Sequence, residues 1–586
     1  MKVYRKEYPN PQFERSDWLN LNGEWDFGYK KISAGFKFSK NEALAVKYHN
    51  KNQYPNKINV PFCIESELSG ISNTDFVNLV WYRKKVNIKK NGKRVFLHIG
   101  AADYLTTVLV NSKLAGRHRG GYTAFQFDIT DLLADGENEI FIFCEDDVKN
   151  SLVARGKQSE KLKSHDCDYT RTTGIWQTVY LEYTPQEYIK DFKIYPDVQS
   201  CSVTVSADFI GTADFSCDVL YNGKAVGNIK QMNVSSNRFF HIPLSEKHLW
   251  EAGNGRLYDL EFTFGEDKVK SYFGLRNVRL DEYKFLINEK SVFQRLVLDQ
   301  GFYKDGIYTA KDEAAILKDI ELSMALGFNG ARPHQKVFEP RYLYYCDKMG
   351  YLVWGEYASW GIDHSSYDAL AVYLSEWAEA VNRDFNHPSI VGWCPFNETW
   401  NYRGREQKNE LLAAIYDYTK AVDHTRPCID TSGNFHVKTD IYDVHDYNYD
   451  PALFKKNFDR LVDENYLYEH VLIDNPNRQK YSGEPVFVSE YGGIKWSGDD
   501  TIKSWGYGEN VKTPQEFADR YCGLTDALIS NKKMFGFCYT QLYDIEQEQN
   551  GLYTYERKKK FSDDIYKQII EANKKLAEIE KEGINK

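Results

Sequence analysis

Two glutamates, Glu398 and Glu490, each close a short apolar run in the C-terminal half of the chain. The runs are Ile390-Val391-Gly392-Trp393-Cys394-Pro395-Phe396-Asn397-Glu398 and Pro485-Val486-Phe487-Val488-Ser489-Glu490. An apolar run of this length between turn residues reads as a parallel strand buried on both faces. A carboxylate at the C-terminal end of such a strand stands where a (β/α)8 barrel places its chemistry. Two carboxylates facing one pocket can break a glycosidic bond. One, protonated, donates to the departing oxygen; the other, ionised, attacks the anomeric carbon. Burial or a neighbouring negative charge raises one carboxyl pKa, and hydrogen bonding to the charged form lowers the other. In retaining enzymes the carboxyls lie about 5–5.5 Å apart, against about 6.5–9.5 Å in inverting ones.

Other strand ends in the same half also finish in polar groups: Asp299, His334, Glu356, Asn397, His445-Asp446 and Gln541. In a closed barrel these ends converge on one face. Asp299, His334 and His445 are therefore read as substrate-binding residues, against the plainer reading that each is paired with a neighbour. Glu356 reads as a supporting residue. Trp360, Trp400 and Trp496 follow the third, fourth and seventh strands as pocket wall or loop packing, and Trp360 is taken as wall.

The elements that must hold these residues come from eight strand–helix alternations beginning near residue 281. The strands are expected at Val292–Asp299, Asn329–Pro333, Tyr351–Glu356, Ile390–Glu398, Cys428–Thr431, Tyr442–His445, Val486–Glu490 and Phe535–Gln541. Helical periodicity covers Lys311–Leu326, Tyr367–Phe385, Arg405–Val422 and Pro514–Ser530, with a charge-rich last helix from Ser562 to about Glu582. Upstream the pattern is all β. Residues 1–184 carry short alternating runs separated by Asn91-Gly92 and Asp135-Gly136, which suggests a jelly-roll sandwich. Residues 185–280 continue in β, with an Asn222-Gly223 hairpin signal, and fit an immunoglobulin-like sandwich. The expected fold is thus multidomain: two β-sandwiches, then a TIM barrel over 281–586.

The bulk numbers agree with such a chain. Its 586 residues exceed one core. A net charge of −9 argues against a nucleic-acid partner, which requires a basic footprint. The 15% aromatic content fits large sheets with cross-strand pairs as well as flat faces on which sugar rings stack. No apolar N-terminal signal and no spanning segment is legible, so a cytoplasmic, membrane-free protein is expected. The ten cysteines show no CxxC pair and no ligand spacing and read as reduced thiols, with no metal and no cofactor implied. Glu356, His387 and Glu398 are the thin exception that could contribute to a Mg²⁺ site. A homo-oligomer is compatible with the sequence.

Asn397-Glu398 after Trp393, preceded by Asn386-His387-Pro388-Ser389-Ile390, resembles the acid/base motif of glycoside hydrolase family two, the family of β-galactosidases, β-glucuronidases and β-mannosidases. Ser489-Glu490-Tyr491-Gly492-Gly493 is similar to its nucleophile strand. Leu21-Asn22-Gly23-Glu24-Trp25-Asp26-Phe27, Val80-Trp81-Tyr82-Arg83, His118-Arg119-Gly120-Gly121-Tyr122, Thr173-Gly174-Ile175-Trp176 and Gly327 to His334 resemble further landmarks, so the likeness covers nearly the whole chain. It implies a retaining two-step hydrolysis with Glu398 as general acid/base and Glu490 as nucleophile. It implies that Asn397 binds the sugar 2-hydroxyl and that Tyr447 lies beside the nucleophile. It also places Tyr539 where the family usually has a Trp platform.

For the sugar, the family's β-glucuronidases hold the substrate carboxylate with an Asn-x-Lys motif after strand eight. The corresponding stretch here, Glu546-Gln547-Glu548-Gln549-Asn550-Gly551-Leu552, carries two acids and no lysine. A negative loop should repel an anionic sugar. The expectation is a neutral β-glycoside, β-galactoside first, although Asp299-Gln300-Gly301 departs from the galactosidase pattern. β-Glucuronide and β-galacturonide hydrolysis, transglycosylation and a non-catalytic carbohydrate-binding protein are the alternatives.

Overall fold

The computed structural model describes residues 3–32, 35–433, 435–469, 475–497 and 504–581. The expected last helix stops at Lys574 and a short helix, Glu578–Lys581, follows it, while its expected end at Glu582 lies outside the described residues. Alternating apolar residues build the first sandwich. A six-stranded antiparallel sheet runs in the order Asn56–Val60, Gly23–Lys30, Leu79–Ile88, Gly136–Glu145, Leu105–Val110, Lys113–Arg119. A four-stranded sheet of Trp18–Asn20, Val179–Thr184, Arg94–Ile99 and Phe125–Asp128 faces it. Trp25, Tyr82, Leu97, Ile140 and Leu181 pack between the two. The second sandwich sets three strands, Tyr188–Asp197, Ser202–Ile210 and Arg238–Pro243, against four between Thr212 and Phe273. Asn222 and Gly223 both have positive φ, 50° and 77°, the conformation a two-residue hairpin loop requires.

The barrel strands are β1 (Gln294–Asp299), β2 (Gly330–Pro333), β3 (Leu352–Glu356), β4 (Ile390–Cys394, resumed at Phe396–Asn397), β5 (Thr431–Ser432), β6 (Tyr442–Asp446), β7 (Val486–Gly492) and β8 (Met534–Thr540). Every ladder between them is parallel, and among the described residues β5 pairs with β4 but forms no ladder with β6. Pro395 has no N–H to give the ladder, which splits β4 in two. Phe285, Trp354, Phe487 and Phe535 pack on one another inside the barrel.

Helices α1 (Glu313–Ala325), α2 (Pro340–Met349), α3 (Asp368–Asp384), α4 (Asn409–Val422), α5 (Pro451–Asp463), α6 (Pro514–Ile529) and α7 (Asp563–Lys574) surround the strands. The Asp312 side chain accepts from the Ala315 N–H and starts α1, and Thr513 with Pro514 does the same for α6. In α3 the buried residues Ala369, Tyr373, Trp377, Ala380 and Val381 recur at helical spacing. Two expectations change. Among the described residues no helix joins β5 to β6, so the fifth of the eight alternations is a loop. Strand five is interrupted: Cys428 makes an isolated parallel bridge to Trp393, and the strand resumes at Thr431–Ser432 beside Phe396–Asn397.

The first sandwich docks on the open end of the barrel. The Tyr122 N–H donates to Glu376 at 2.6 Å and Thr123 Oγ1 to Glu379 at 2.6 Å, both on α3. Gly120 makes this approach possible: a Cβ there would lie 2.6 Å from the Glu376 carboxyl carbon. All ten cysteines are free thiols. Among the described residues no helix is long and apolar enough to cross a membrane.

Candidate active site

The ends of β2, β3, β4, β6 and β7 bring their polar residues into one buried cluster. Glu490 on β7 is almost fully buried, and Glu398, just beyond β4, is the more open of the pair. An oxygen of each carboxylate and a ring nitrogen of His445 all lie within 4.8 Å of one another. His445 Nδ1 is 2.7 Å from Glu398 Oε1 and 3.5 Å from Glu490 Oε2. His445 Nε2 sits 3.0 Å from Ser432 Oγ, and Ser432 donates to Asp443 at 2.5 Å, which fixes the ring.

Arg332, on β2, is the hub. Its guanidinium donates to Glu490 Oε1 at 2.7 Å and to Asn397 Oδ1 at 2.6 Å, and pairs with Glu356 Oε2 at 2.7 Å. Because Asn397 Oδ1 is engaged, its amide Nδ2 is the group left over; it is buried without a partner. An unpaired buried donor is costly unless something else accepts from it. Trp360 Nε1 donates to the Asn397 carbonyl at 3.0 Å. Glu398 adopts φ +43°, a left-handed conformation uncommon outside glycine and typical of strained functional positions.

Electrostatics separate the groups. Burial alone would raise the Glu490 carboxyl, but the positive charges of His445 and Arg332 and the Tyr447 hydroxyl override it and hold the carboxyl well below the usual range. Burial would lower His445, yet Glu490 and Glu398 push it above its ordinary value. His334 goes the other way: burial first, then the charges of Lys157 and Arg332, drive it well down. Burial raises Glu356 to about 7.

The expected residues therefore divide. Glu398, Glu490, Asn397, His445 and Tyr447 meet directly, Tyr447 through its hydroxyl to Glu490. His334 joins from the side, with Nε2 3.9 Å from Glu490 and Nδ1 2.9 Å from Glu356. Trp360 borders the cluster through its indole bond to the Asn397 carbonyl. Asp299 is turned away: it accepts from Tyr543 at 2.6 Å and from the Gly301 N–H at 2.9 Å. Tyr539 also lies elsewhere, packed against Tyr491 and against Tyr521 of α6. Its neighbour Thr540 is the β8 residue in the site, with Oγ1 3.1 Å from the Tyr447 hydroxyl. Successive strand residues face opposite sides, so the position one residue away is the inward one. Trp496 packs on Phe561, and Trp400 sits edge-on to Trp360.

Arg332, Ser432, Tyr507 and Lys157 were not singled out from sequence. Arg332 stood inside the Gly327 to His334 motif, and its place at a strand end was the available signal. Tyr507 stacks on Tyr447 at 3.5 Å between ring centres. As for metals, Glu398, His445 and Glu490 are close enough to share one, as are Glu160, His165 and Asp168. In the first trio Arg332 and Tyr447 already donate to Glu490. His387 does not join Glu398: it pairs with Asp347 at 2.5 Å.

With this geometry in view, family comparisons decide the class. The profile described as "Glycosyl hydrolases family 2, TIM barrel domain" matches residues 278–572. The corresponding sugar binding domain matches 19–185, and a third family 2 profile matches 187–276. The chain belongs to glycoside hydrolase family 2. This family 2 chain is a β-glycosidase, with relatives of two printed specificities. It is 25% identical to a β-galactosidase of Thermoanaerobacter pseudethanolicus over 548 residues, 84% of this chain and 69% of that one. It is 25% identical to the β-glucuronidase of Sus scrofa over 461 residues, covering 71% and 69%. A Formosa agariphila relative matches over 375 residues, which is only 44% of that protein's length. Among solved structures, a β-glucuronidase from an uncultured Clostridium sp. superposes with a TM-score of 0.77 at 20% identity, covering 98% and 100% of the two chains. The Bifidobacterium dentium β-glucuronidase complexed with coumarin-3-O-glucuronide gives 0.78 at 18% identity, covering 96% and 97%. These likenesses establish the family 2 fold.

Proposed function

We propose that this family 2 chain is a retaining exo-β-glycosidase acting on β-linked hexuronides, glucuronides first. The observation that carries the retaining mechanism is the approach of the Glu398 and Glu490 carboxylates to within 4.8 Å. An oxygen–oxygen approach of that order suits direct displacement, the short spacing of retaining pairs. Glu490, kept ionised, attacks the anomeric carbon. Glu398 protonates the departing oxygen, then takes a proton from the water that hydrolyses the glycosyl-enzyme. The spare Asn397 amide donates to the sugar 2-hydroxyl, and Arg332 sets its direction. Tyr447 and Arg332 hold the Glu490 carboxylate in line.

Two lines support the hexuronide over the galactoside expected from the loop sequence. The relatives and structural neighbours carry β-glucuronidase names more often than the galactosidase name. The acids of the strand-eight loop are also engaged: Glu546 accepts from the Thr170 N–H at 3.1 Å, and Glu548 accepts from Tyr169 and from Asn550. They fasten the first sandwich to the barrel, so their presence is accounted for without a contact to the sugar. A panel of p-nitrophenyl β-glycosides tests the reading. Turnover of the glucuronide should exceed that of the galactoside and glucoside; a galactoside preferred over both uronides would overturn it.

A further inference from the structure

We propose that Lys157, on a loop of the first sandwich, is the cation that receives the C6 carboxylate of the hexuronide in the barrel's active site. The assignment rests on the hexuronide reading above and names the group that provides its selectivity.

Lys157 is 5% exposed, and its Nζ lies 3.7 Å from the centre of the Trp360 ring. Trp360 is the residue whose indole is bonded to the Asn397 carbonyl. The loop is clamped from both sides. The Arg155 N–H donates to the Trp360 carbonyl at 2.8 Å. Next to it, a Cβ on Gly156 would sit 2.2 Å from the Gln335 carbonyl, so the loop presses on the chain immediately after His334. The Lys157 carbonyl accepts from the Tyr169 N–H at 2.7 Å, and the Tyr169 hydroxyl is held by Glu548 and Gln300. Lys157 thus borders the strand-eight loop from the opposite wall. That loop, residues 546–552, contains no lysine of its own.

The ammonium lacks a close anion. Among the described residues no carboxylate oxygen lies within 4.0 Å of Nζ. A buried ammonium resting on an aromatic face, with donors to spare, is a costly arrangement in the free protein. Burial lowers its pKa, but its surroundings, the more distant carboxylates of Glu548, Asp168 and Glu490 among them, raise it further, so it remains protonated. A glucoside offers a neutral hydroxymethyl group at C6 and cannot complete the pair; a glucuronide brings the missing charge.

The test compares p-nitrophenyl β-D-glucuronide with p-nitrophenyl β-D-glucoside, which differ only at C6, on wild type, Lys157→Met and Lys157→Arg. In Lys157→Met the kcat/KM for glucuronide should fall roughly 30-fold to 1,000-fold, the loss expected when one partner of a buried ion pair is removed. The glucoside should fall far less, and Lys157→Arg should retain part of the glucuronide preference. A parallel fall on both sugars, or an unchanged glucuronide value, overturns the assignment while leaving the hexuronide reading standing. A wild type that hydrolyses the glucoside or galactoside but neither uronide overturns the reading itself, and the assignment with it. If Lys157→Met does not fold, Lys157→Gln serves the same comparison.

Discussion

His445 Nδ1 stands 2.7 Å from Glu398 and 3.5 Å from Glu490, so a single imidazole spans both carboxylates. Two acids this close, one of them buried, repel each other when both are ionised. A protonated ring between them offsets that repulsion and keeps both side chains aimed at one point. The ring is positioned from behind by Ser432 and Asp443.

His445 therefore gives folding a pH dependence. Its folded-state pKa is raised, against burial, by Glu490 and Glu398. The stabilisation it provides is complete below its ordinary value of 6.5 and is lost as pH rises through the raised one. Glu490 behaves oppositely. Its stabilisation is present above the ordinary 4.5 and is lost as pH falls toward the lowered value. Thermal melting midpoints of wild type should decline on the alkaline side, and His445→Gln should flatten that decline. Equal slopes in both proteins would exclude an imidazolium at this position.

Arg332 holds Glu490, Glu356 and Asn397 together, and all four side chains are buried. Removing one partner of a buried ion pair strands the other charge. Arg332→Met should destabilise the protein by about 3–5 kcal/mol in urea denaturation. Activity should fall even under conditions where the variant is folded, since both the Glu490 carboxylate and the Asn397 amide lose their orientation. A loss under about 1 kcal/mol, the scale of an exposed pair, would mean the network is not continuous in solution.

The two glutamates should fail differently. Glu490→Ala should lower kcat by on the order of 10⁴ or more with every aryl leaving group, because no covalent intermediate can form. Glu398→Ala should lose about 10²–10⁴ with poor leaving groups, the range for a general acid, and far less with good ones. Azide should partly restore Glu398→Ala by replacing the water that needs a base. A series of substituted phenyl glycosides measures both slopes; interchanged patterns would reverse the roles.

Much of this was legible because buried strands and helices write themselves locally. The runs ending at Asp299, Pro333 and Glu356 are strands with those same last residues, and Pro514 opens a helix with its Thr513 cap. What was not legible depends on tertiary placement. Tyr539 and Thr540 are neighbours in sequence, yet only the facing of β8 decides which one enters the site. Asp299 ends its strand as expected, but its carboxylate is claimed by Tyr543 and Gly301. Lys157 is some 240 residues from Glu398 in sequence, and nothing in its own surroundings signals a place in the site. It arrives there because the first sandwich docks over the barrel mouth.

The central claim is that Glu490 becomes covalently bonded to the sugar while Glu398 manages the proton. Incubation with the 2-deoxy-2-fluoro glycosyl fluoride of the preferred sugar, followed by proteolysis and peptide mass spectrometry, reads this directly. The account predicts one sugar per chain, on the peptide containing Glu490, formed in wild type and absent in Glu490→Ala. A label on Glu398, or unlabelled protein that releases the fluorosugar with inverted configuration, would contradict it.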